Sequence, residues 1–221
     1  MKITKFNQSC LLVDTKGKRI LVDPGNIGYT DEMLKKYWIN IDCILVTHKH
    51  DDHCLDSAIN TIVARDNAKL YTTYEVVENH DLYGANLIKV GDIITLDDIE
   101  IGVTKAVHGY LPHMKGNEVK NNVGYIIDDG DKRVYITSDT IGFNNNYNCD
   151  IICMPFNGNG LTLGIVDGIL FVQDINPNLV LPIHMQHPNP MMNPDIKILE
   201  ENFKENNINY RILAIGESIE I

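Results

Sequence analysis

The segment Thr47-His48-Lys49-His50-Asp51-Asp52-His53 carries the pattern H-x-H-x-D-H, with three histidines and an aspartate within six residues. It directly follows the apolar run 43–46, which predicts a strand buried on both faces. Three imidazoles and a carboxylate crowded at a strand end are poorly compensated unless a cation holds them together. Imidazole nitrogens and carboxylate oxygens bind zinc, manganese or iron, and the absence of thiolates argues against a structural cysteine-type zinc site. This segment therefore predicts a metal site after a buried strand.

Three further ligand-type residues lie outside this segment, each where a predicted strand ends. His108 follows the apolar run 101–107, Asp139 follows the run 134–137, and His184 follows the run 179–183. Taken singly, each is more typical of an ordinary turn. Because rigid sheets place functional loops at strand ends, and because one segment cannot supply all the ligands of two metal ions, the three are candidate ligands together.

The order of the predicted elements indicates an α/β protein with two sheets back to back and helices outside. Strands precede a strand–helix alternation in each half, and no linker-like stretch separates the halves, so residues 1–221 are interpreted as a single domain. Strands are predicted at 3–6, 9–14, 19–23, 43–46, 70–72, 87–90, 93–96, 99–107, 123–128, 134–137, 151–154, 179–183 and 210–214. Helices are predicted at 31–38, 55–65, 74–80, 164–175 and 194–205.

Composition limits the classes of partner. The 221 residues are 44% hydrophobic and 22% charged, which suits a globular chain with a sizeable core. The net charge of −11 opposes a polyanionic partner, so nucleic acid is an unfavourable first hypothesis. No apolar run approaches the ~18 residues of a membrane span, and the start of the chain is not of the secretory type. Five cysteines without zinc-ribbon spacing suit a reducing compartment, and a cytoplasmic location is expected.

These residues resemble the metallo-β-lactamase superfamily over essentially the whole chain. The resemblance rests on the H-x-H-x-D-H motif at 48–53, on His108, on Asp139 within Ser-Asp-Thr, on His184 within Pro-Ile-His, and on the leading segments 9–13 and 20–24. It implies a four-layer αββα sandwich. The most similar subgroup is the compact metal-dependent hydrolases that include ascorbate-6-phosphate lactonase-like proteins, in which glycine is more common at the position of Ser138.

The resemblance also implies a ligand set for two divalent metal ions, with Zn²⁺ expected first and Mn²⁺ or Fe²⁺ as alternatives. One ion would be held by His48, His50 and His108, the second by Asp52, His53 and His184, and Asp139 would bridge the two. Asp23 resembles an acid that binds no metal but orients the histidine loop. A turn-initiating aspartate before Pro24-Gly25 is the alternative interpretation of Asp23.

Two such ions would lower the pKa of a bridging water to about 7 and supply hydroxide for attack on an electrophile. Asp52 would be catalytic by relaying a proton. The sequence thus favours a metal-dependent hydrolase for a small polar ester, lactone or phosphodiester. A phosphodiesterase or nuclease acting on nucleotides or RNA, and a metal-stabilised binding module without turnover, remain alternatives. His113, Asn157 and His187 are candidate substrate-binding residues, with an exposed loop or plain turn as the alternative for each; a homo-oligomer also remains open.

Overall fold

The computed structural model describes residues 1–112 and 115–221, and their strands form two sheets in two compact units. The first unit comprises Met1–Lys89 and Ala214–Ile221, and the second comprises Val90–Leu213. The interpretation of residues 1–221 as a single domain stays a prediction.

The first unit contains a seven-stranded sheet in the order β13-β1-β2-β3-β4-β5-β6. The pairs β13–β1, β1–β2 and β2–β3 are antiparallel, whereas β3 to β6 are parallel. The carboxyl ends of β3 and β4 therefore lie at the same edge, where they position the loops that follow. The strands are β1 Lys2–Lys5, β2 Leu11–Thr15, β3 Lys18–Val22, β4 Cys43–Leu45, β5 Lys69–Thr72, β6 Ala85–Leu87 and β13 Ser218–Glu220.

Two α-helices belong to the first unit, α1 (Asp56–Asp66) and α2 (Tyr74–Asn79). The inward face of α1 carries Ala58, Ile59 and Ile62 at helical spacing, and all three are buried in an apolar cluster with residues of β4 and β5. The helix ends at Asn67, which adopts the left-handed conformation that asparagine tolerates at helix ends.

The helix predicted over residues 31–38 is present over residues 31–37, but most of it differs in type. The structure has a five-residue π-helical turn, Met33–Tyr37, that ends at Trp38. The Trp38 N–H donates to the Met33 carbonyl at 2.9 Å, and the indole is almost completely buried, with its ring centroid 5.7 Å from that of Phe6. The wider π-helical turn thus ends at a large, buried aromatic side chain. The hydrophobic periodicity of the sequence did not indicate this type of turn.

The second unit contains a six-stranded sheet in the order β12-β11-β10-β9-β8-β7. Strands β7 to β10 are antiparallel, and β10, β11 and β12 are parallel. Strands β8, β10, β11 and β12 consequently run in one direction and end at the same edge. The elements are β7 Ile93–Leu96, β8 Ile99–Lys105, β9 Val123–Asp128, β10 Arg133–Ile136, β11 Ile151–Pro155, α3 Ile165–Ile175, β12 Leu179–Ile183 and α4 Ile196–Glu205, with a short 3₁₀ turn at Pro190–Met192.

Three strand predictions needed correction. The segment 210–214 makes only an isolated parallel bridge between Tyr210 and Val180. The last strand is instead Ser218–Glu220, which the sequence analysis missed and which pairs with β1. The strand predicted at 87–90 lies at Ala85–Leu87, beside β5. All three errors concern short sheet-edge segments, in which few buried side chains reveal a periodicity.

None of the helices in the described part of the chain combines the length and the apolar character needed to cross a bilayer.

Candidate metal centre

In the first unit, two neighbouring parallel strands end in polar residues at the same edge of the sheet. Asp23 follows β3 directly, and the segment 47–53 follows β4 after Val46. Asp23, His48 and His53 are all completely buried, although their side chains are polar. Such a concentration of buried ionisable groups requires internal hydrogen bonds or a bound cation.

The Asp23 carboxylate organises this loop through three short hydrogen bonds. Its Oδ1 accepts from the Thr47 N–H at 2.8 Å, and its Oδ2 accepts from the Thr47 hydroxyl at 2.8 Å and from His53 Nδ1 at 2.8 Å. The Thr47 hydroxyl, whose hydrogen points to Asp23, accepts from His48 Nδ1 at 3.0 Å. Nδ1 thus carries the proton in both histidines, and each Nε2 keeps its lone pair for a metal ion.

The ring nitrogens of the predicted ligands converge within the first unit. His48 Nε2 lies 3.2 Å from His50 Nδ1, and His53 Nε2 lies 3.7 Å from Asp52 Oδ2. The rings of His48 and His53 lie 4.0 Å apart between centroids. Asp52 also accepts from the Gln8 side-chain amide at 3.4 Å, a contact that the sequence analysis did not anticipate.

Close backbone contact fixes the loop against the turn after β3. A Cβ placed on Gly25 would lie 1.8 Å from the Asp52 carbonyl oxygen, so only glycine fits there. The Asn26 N–H donates to the Asp51 carbonyl at 2.8 Å, and the Leu55 N–H donates to the Pro24 carbonyl at 2.9 Å. These contacts attach both ends of the segment 51–55 to the turn.

In the second unit, strands that end at one edge bring three predicted ligands together. His108 lies beyond the end of β8, Asp139 beyond β10, and His184 directly after β12. Asp139 Oδ2 lies 3.2 Å from His184 Nε2 and 3.9 Å from His108 Nε2. All three side chains are buried. His108 Nδ1 donates to the Gly109 carbonyl at 2.8 Å, which again leaves Nε2 with its lone pair.

Three residues at these strand ends adopt left-handed backbone conformations that are uncommon for residues other than glycine. The φ angles are 47° at Asp23, 64° at Ser138 and 57° at His184. Backbone strain of this kind persists where surrounding contacts hold it, and it is concentrated at functional sites. Around Ser138, the hydroxyl donates to Asn122 Oδ1 at 2.7 Å, and the Asn122 amide donates to the Asp139 carbonyl at 2.6 Å.

The structure describes the contacts of two of the three candidate substrate-binding residues. Asn157 Nδ2 lies 3.2 Å from His184 Nδ1, and Asn157 Oδ1 accepts from the Thr162 hydroxyl at 2.8 Å. His187 Nδ1 accepts from the Asn189 N–H at 3.0 Å within a turn before α4. His113 lies outside the described residues. Asn157 therefore contacts a predicted ligand.

The donor sets within each unit suit a divalent metal ion. They consist of imidazole nitrogens and carboxylate oxygens, which zinc, manganese and iron accept. Around a tetrahedral zinc ion with bonds of about 2.0–2.1 Å, neighbouring ligand atoms lie roughly 3.3 Å apart. The His48–His50 nitrogen separation in the first unit and the His184–Asp139 separation in the second are both 3.2 Å. The residues present therefore fit such an ion.

Comparison with known proteins gives the family. The family model described as the beta-lactamase superfamily domain matches residues 2–184, which is most of the chain. The chain belongs to the metallo-β-lactamase superfamily. A curated relative from Korarchaeum cryptofilum, named a UPF0173 metal-dependent hydrolase, is 27% identical over 232 residues, covering 100% of both chains.

Solved structures of other hydrolases share the fold. A metallo hydrolase from the archaeon Ignicoccus hospitalis is similar with a TM-score of 0.78 and 23% identity, covering 100% of this chain and 98% of its own. An isothiocyanate hydrolase from Delia radicum gut bacteria is similar with a TM-score of 0.78 and 20% identity, covering 100% of this chain and 99% of its own. At these identities the likeness shows the fold alone.

These findings confirm the predicted superfamily, the α/β fold class of the metallo-β-lactamase type, and the enzyme class of metal-dependent hydrolase. The lactonase-like subgroup stays a prediction. The sequence analysis missed Thr47, Gln8 and Asn122, the residues that hold predicted ligands or their neighbours through hydrogen bonds. Thr47 lies within the quoted motif, but no pattern in the sequence distinguishes Gln8 or Asn122 from other polar residues.

Proposed function

We propose that this protein hydrolyses a small polar ester, lactone or phosphodiester at a centre of two divalent metal ions. The proposal rests above all on the Asp23 carboxylate, which fixes the Nδ1 protons of His53 directly and of His48 through Thr47. Carboxylate partners behind metal-binding imidazoles are typical of metal centres, because they orient the ring and raise its basicity. Membership of the superfamily supports the same assignment.

The proposed ligand set is the one that the resemblance to the superfamily implies. His48, His50 and His108 would hold one ion, Asp52, His53 and His184 would hold the other, and Asp139 would bind both. Nitrogen and oxygen donors without thiolate suit Zn²⁺ first, with Mn²⁺ or Fe²⁺ as alternatives. When bound, the ions supply Lewis acidity: they polarise the substrate and make water a nucleophile near neutral pH.

Asp52 is the proposed catalytic proton carrier. Its side chain is 20% exposed, whereas that of Asp139 is 6% exposed and that of Asp23 is completely buried. The Gln8 amide donates to Asp52 Oδ2 at 3.4 Å and restrains the carboxylate. A partly accessible, restrained carboxylate suits proton transfer to a leaving group, because it meets solvent and substrate without losing its orientation.

The net charge supports the proposed substrate class. A net charge of −11 opposes long polyanions but does not oppose a small ester, lactone or phosphodiester bound at cations. His113, Asn157 and His187 stay candidates for substrate contact.

The experiment compares metal content and hydrolysis in one series of proteins. Protein loaded with Zn²⁺ or Mn²⁺ is assayed against simple lactones, p-nitrophenyl esters and bis-p-nitrophenyl phosphate, before and after EDTA. We expect two metal ions per chain and hydrolysis that EDTA abolishes. His50→Ala and Asp139→Ala should remain folded with depleted metal and little hydrolysis. Glu78→Gln, a change at an exposed glutamate on α2, is the matched control and should behave as wild type.

Three results would contradict the proposal. Unchanged metal content in His50→Ala or Asp139→Ala would remove the ligand assignment. One ion per chain at saturation would remove the dinuclear centre. Binding of metal without turnover of any of the three substrate classes would favour the binding-module alternative.

A further inference from the structure

Lys49, which lies between His48 and His50, is held from two directions by the segment that contains α2. Its ammonium group lies 3.2 Å from Glu75 Oε1, and both side chains are about nine-tenths buried, with 10% and 9% exposure. Its backbone carbonyl lies 2.7 Å from His80 Nε2, in the residue that directly follows the helix. The peptide between two predicted ligands is therefore fixed through both its side chain and its backbone.

His80 is itself fixed from the opposite side. Its Nδ1 lies 2.6 Å from Asp56 Oδ1 at the start of α1, and the His80 side chain is 8% exposed. The second Asp56 oxygen accepts from the Asp81 N–H at 2.9 Å. Both ring nitrogens of His80 face acceptors, Asp56 Oδ1 on one side and the Lys49 carbonyl on the other, so the ring is held between α1 and the loop after β4.

The same residues form a cluster that could instead hold a metal ion, because Cys54, Asp56 and His80 bring potential ligand atoms close together. Their contacts favour hydrogen bonding over metal binding. The two His80 nitrogens already make hydrogen bonds of 2.6 and 2.7 Å, and Cys54 Sγ lies 3.9 Å from Asp56 Oδ1 in a weak hydrogen bond. A metal ion would have to displace the short hydrogen bond between His80 and Asp56.

We propose that His80, with Glu75, is a positioning residue that fixes the backbone at Lys49, so that His48 and His50 are held in the orientation that binds metal. This inference rests on the proposed function, in which these two histidines bind a metal ion. Ligands ordered before binding lose less conformational entropy when the ion arrives, so a fixed loop binds the ion more tightly. Support of this kind at a metal site typically contributes 10–100-fold in affinity.

The test uses Co²⁺ as a spectroscopic probe of the full chain. Metal-free wild type, His80→Gln and Glu75→Gln are titrated with Co²⁺ in competition with a chelator, and the visible d–d absorption and the metal-free melting temperature are recorded. We expect His80→Gln to weaken Co²⁺ binding by about 10-fold or more and to change the d–d spectrum. Glu78→Gln removes an exposed charge from the same helix and should leave both measurements unchanged.

A merely structural role would lower the melting temperature and leave the Co²⁺ affinity and the spectrum of the folded protein unchanged, which would overturn the positioning role. If His80→Gln does not fold, Glu75→Gln, which keeps the side-chain shape, is measured in the same way and decides the question. His50→Ala separates the two proposals. Undiminished Co²⁺ binding in this variant removes the ligand assignment, whereas a wild-type response of His80→Gln and Glu75→Gln removes only the positioning role.

A third result concerns the cluster itself. If wild type binds one more Co²⁺ per chain than His80→Gln, and the additional ion shows sulfur-to-cobalt charge transfer, then Cys54, Asp56 and His80 form a metal site. This result would overturn the positioning role.

Discussion

A single buried carboxylate, Asp23, fixes the hydrogen-bonding state of two histidines in the first unit. It accepts from His53 directly, and it orients the Thr47 hydroxyl that accepts from His48. An amide in its place would present one N–H₂ group to these donors, leaving at least one of them without an acceptor. Leaving a buried donor unsatisfied costs about 1–3 kcal/mol.

Asp23→Asn should therefore reduce both stability and metal affinity. We expect a loss of about 1–3 kcal/mol in the free energy of unfolding and a 10–100-fold weaker binding of Zn²⁺. Urea unfolding and chelator competition measure the two effects. Asp98→Asn, at an exposed turn position, serves as the control and should change neither value. Wild-type Zn²⁺ affinity in Asp23→Asn would mean that Asp23 only begins a turn.

Asn157 offers a second test at the residue scale. Its side-chain N–H₂ group lies 3.2 Å from Nδ1 of His184 and holds the ring, whereas an aspartate at this position would accept from Nδ1, keep a proton there and leave Nε2 for a metal ion. Asn157→Asp should retain the Zn²⁺ affinity within a few-fold, whereas Asn157→Leu should lose about 10–100-fold. Chelator competition measures both. Equal affinities in the two variants would show that Asn157 does not orient His184, and a change in KM alone would favour substrate contact.

At the scale of secondary-structure elements, the turn after β3 packs against the loop after β4 through one close backbone contact, between Gly25 and Asp52. A methyl group at Gly25 would overlap the Asp52 carbonyl, and the backbone of one segment would have to move. Gly102, within β8, has open space where a Cβ would lie, and it provides a glycine for comparison.

Gly25→Ala should destabilise the protein by about 1–3 kcal/mol, as overpacking does, and should reduce metal content by displacing Asp52 and His53. Gly102→Ala should be neutral or stabilise by up to about 1 kcal/mol, because alanine restricts the unfolded chain. Thermal unfolding and elemental analysis compare the two variants. Full metal content and stability in Gly25→Ala would mean that the loop adjusts without this contact.

The sequence predicted those parts of the fold in which local patterns reflect burial. The run before His48 is apolar on both faces because β4 lies between β3 and β5, and this continuous burial marked the strand. Similar runs marked β10, β11 and β12, and hence the positions of Asp139 and His184. The strand Ser218–Glu220 was missed because it is three residues long and only partly buried.

The contacts behind the candidate ligands were harder to predict, because they join residues far apart in the sequence. Asp23 and Thr47 are 24 positions apart, and His80 and Lys49 are 31 apart. A turn-initiating role for Asp23 and an orienting role were therefore both open until the strands were placed side by side. Nothing in the local sequence around His80 indicates that it contacts the carbonyl of Lys49.

At the scale of the whole molecule, all five cysteines are buried free thiols. Burial raises the pKa of each thiol, to about 12 for Cys43 and Cys149. Burial has the opposite effect on the one almost fully buried lysine among the described residues, and lowers the pKa of Lys5 to about 8. Between about pH 8 and 10.5 Lys5 is largely protonated in the unfolded chain but largely neutral in the folded protein. Taken by itself, Lys5 therefore makes the free energy of unfolding rise with pH in this range.

The five thiols have the opposite effect on how stability changes with pH, and they outnumber Lys5. Above about pH 9 the unfolded chain loses thiol protons that the folded chain retains, so stability should fall as pH rises. Each thiol contributes a slope of about 1.4 kcal/mol per pH unit in this range. Urea unfolding of the metal-free protein across this range measures the slope. Cys43→Ala should make the fall of the free energy of unfolding with pH less steep by the contribution of one thiol, and Lys5→Met should make this fall steeper. An unchanged slope in both variants would contradict the assignment of the pH dependence to these buried groups.

The pairing of β13 with β1 has a consequence for biosynthesis. Strand β1 is translated before the second unit, whereas its neighbour Ser218–Glu220 is translated only after the whole of that unit. Until then the nascent first sheet ends in an open edge at β1, and such edges invite pairing with other chains. The edge becomes protected only once Ser218–Glu220 has been translated and has left the ribosome, and slow translation of this segment or its deletion would prolong the exposure of β1 to aggregation.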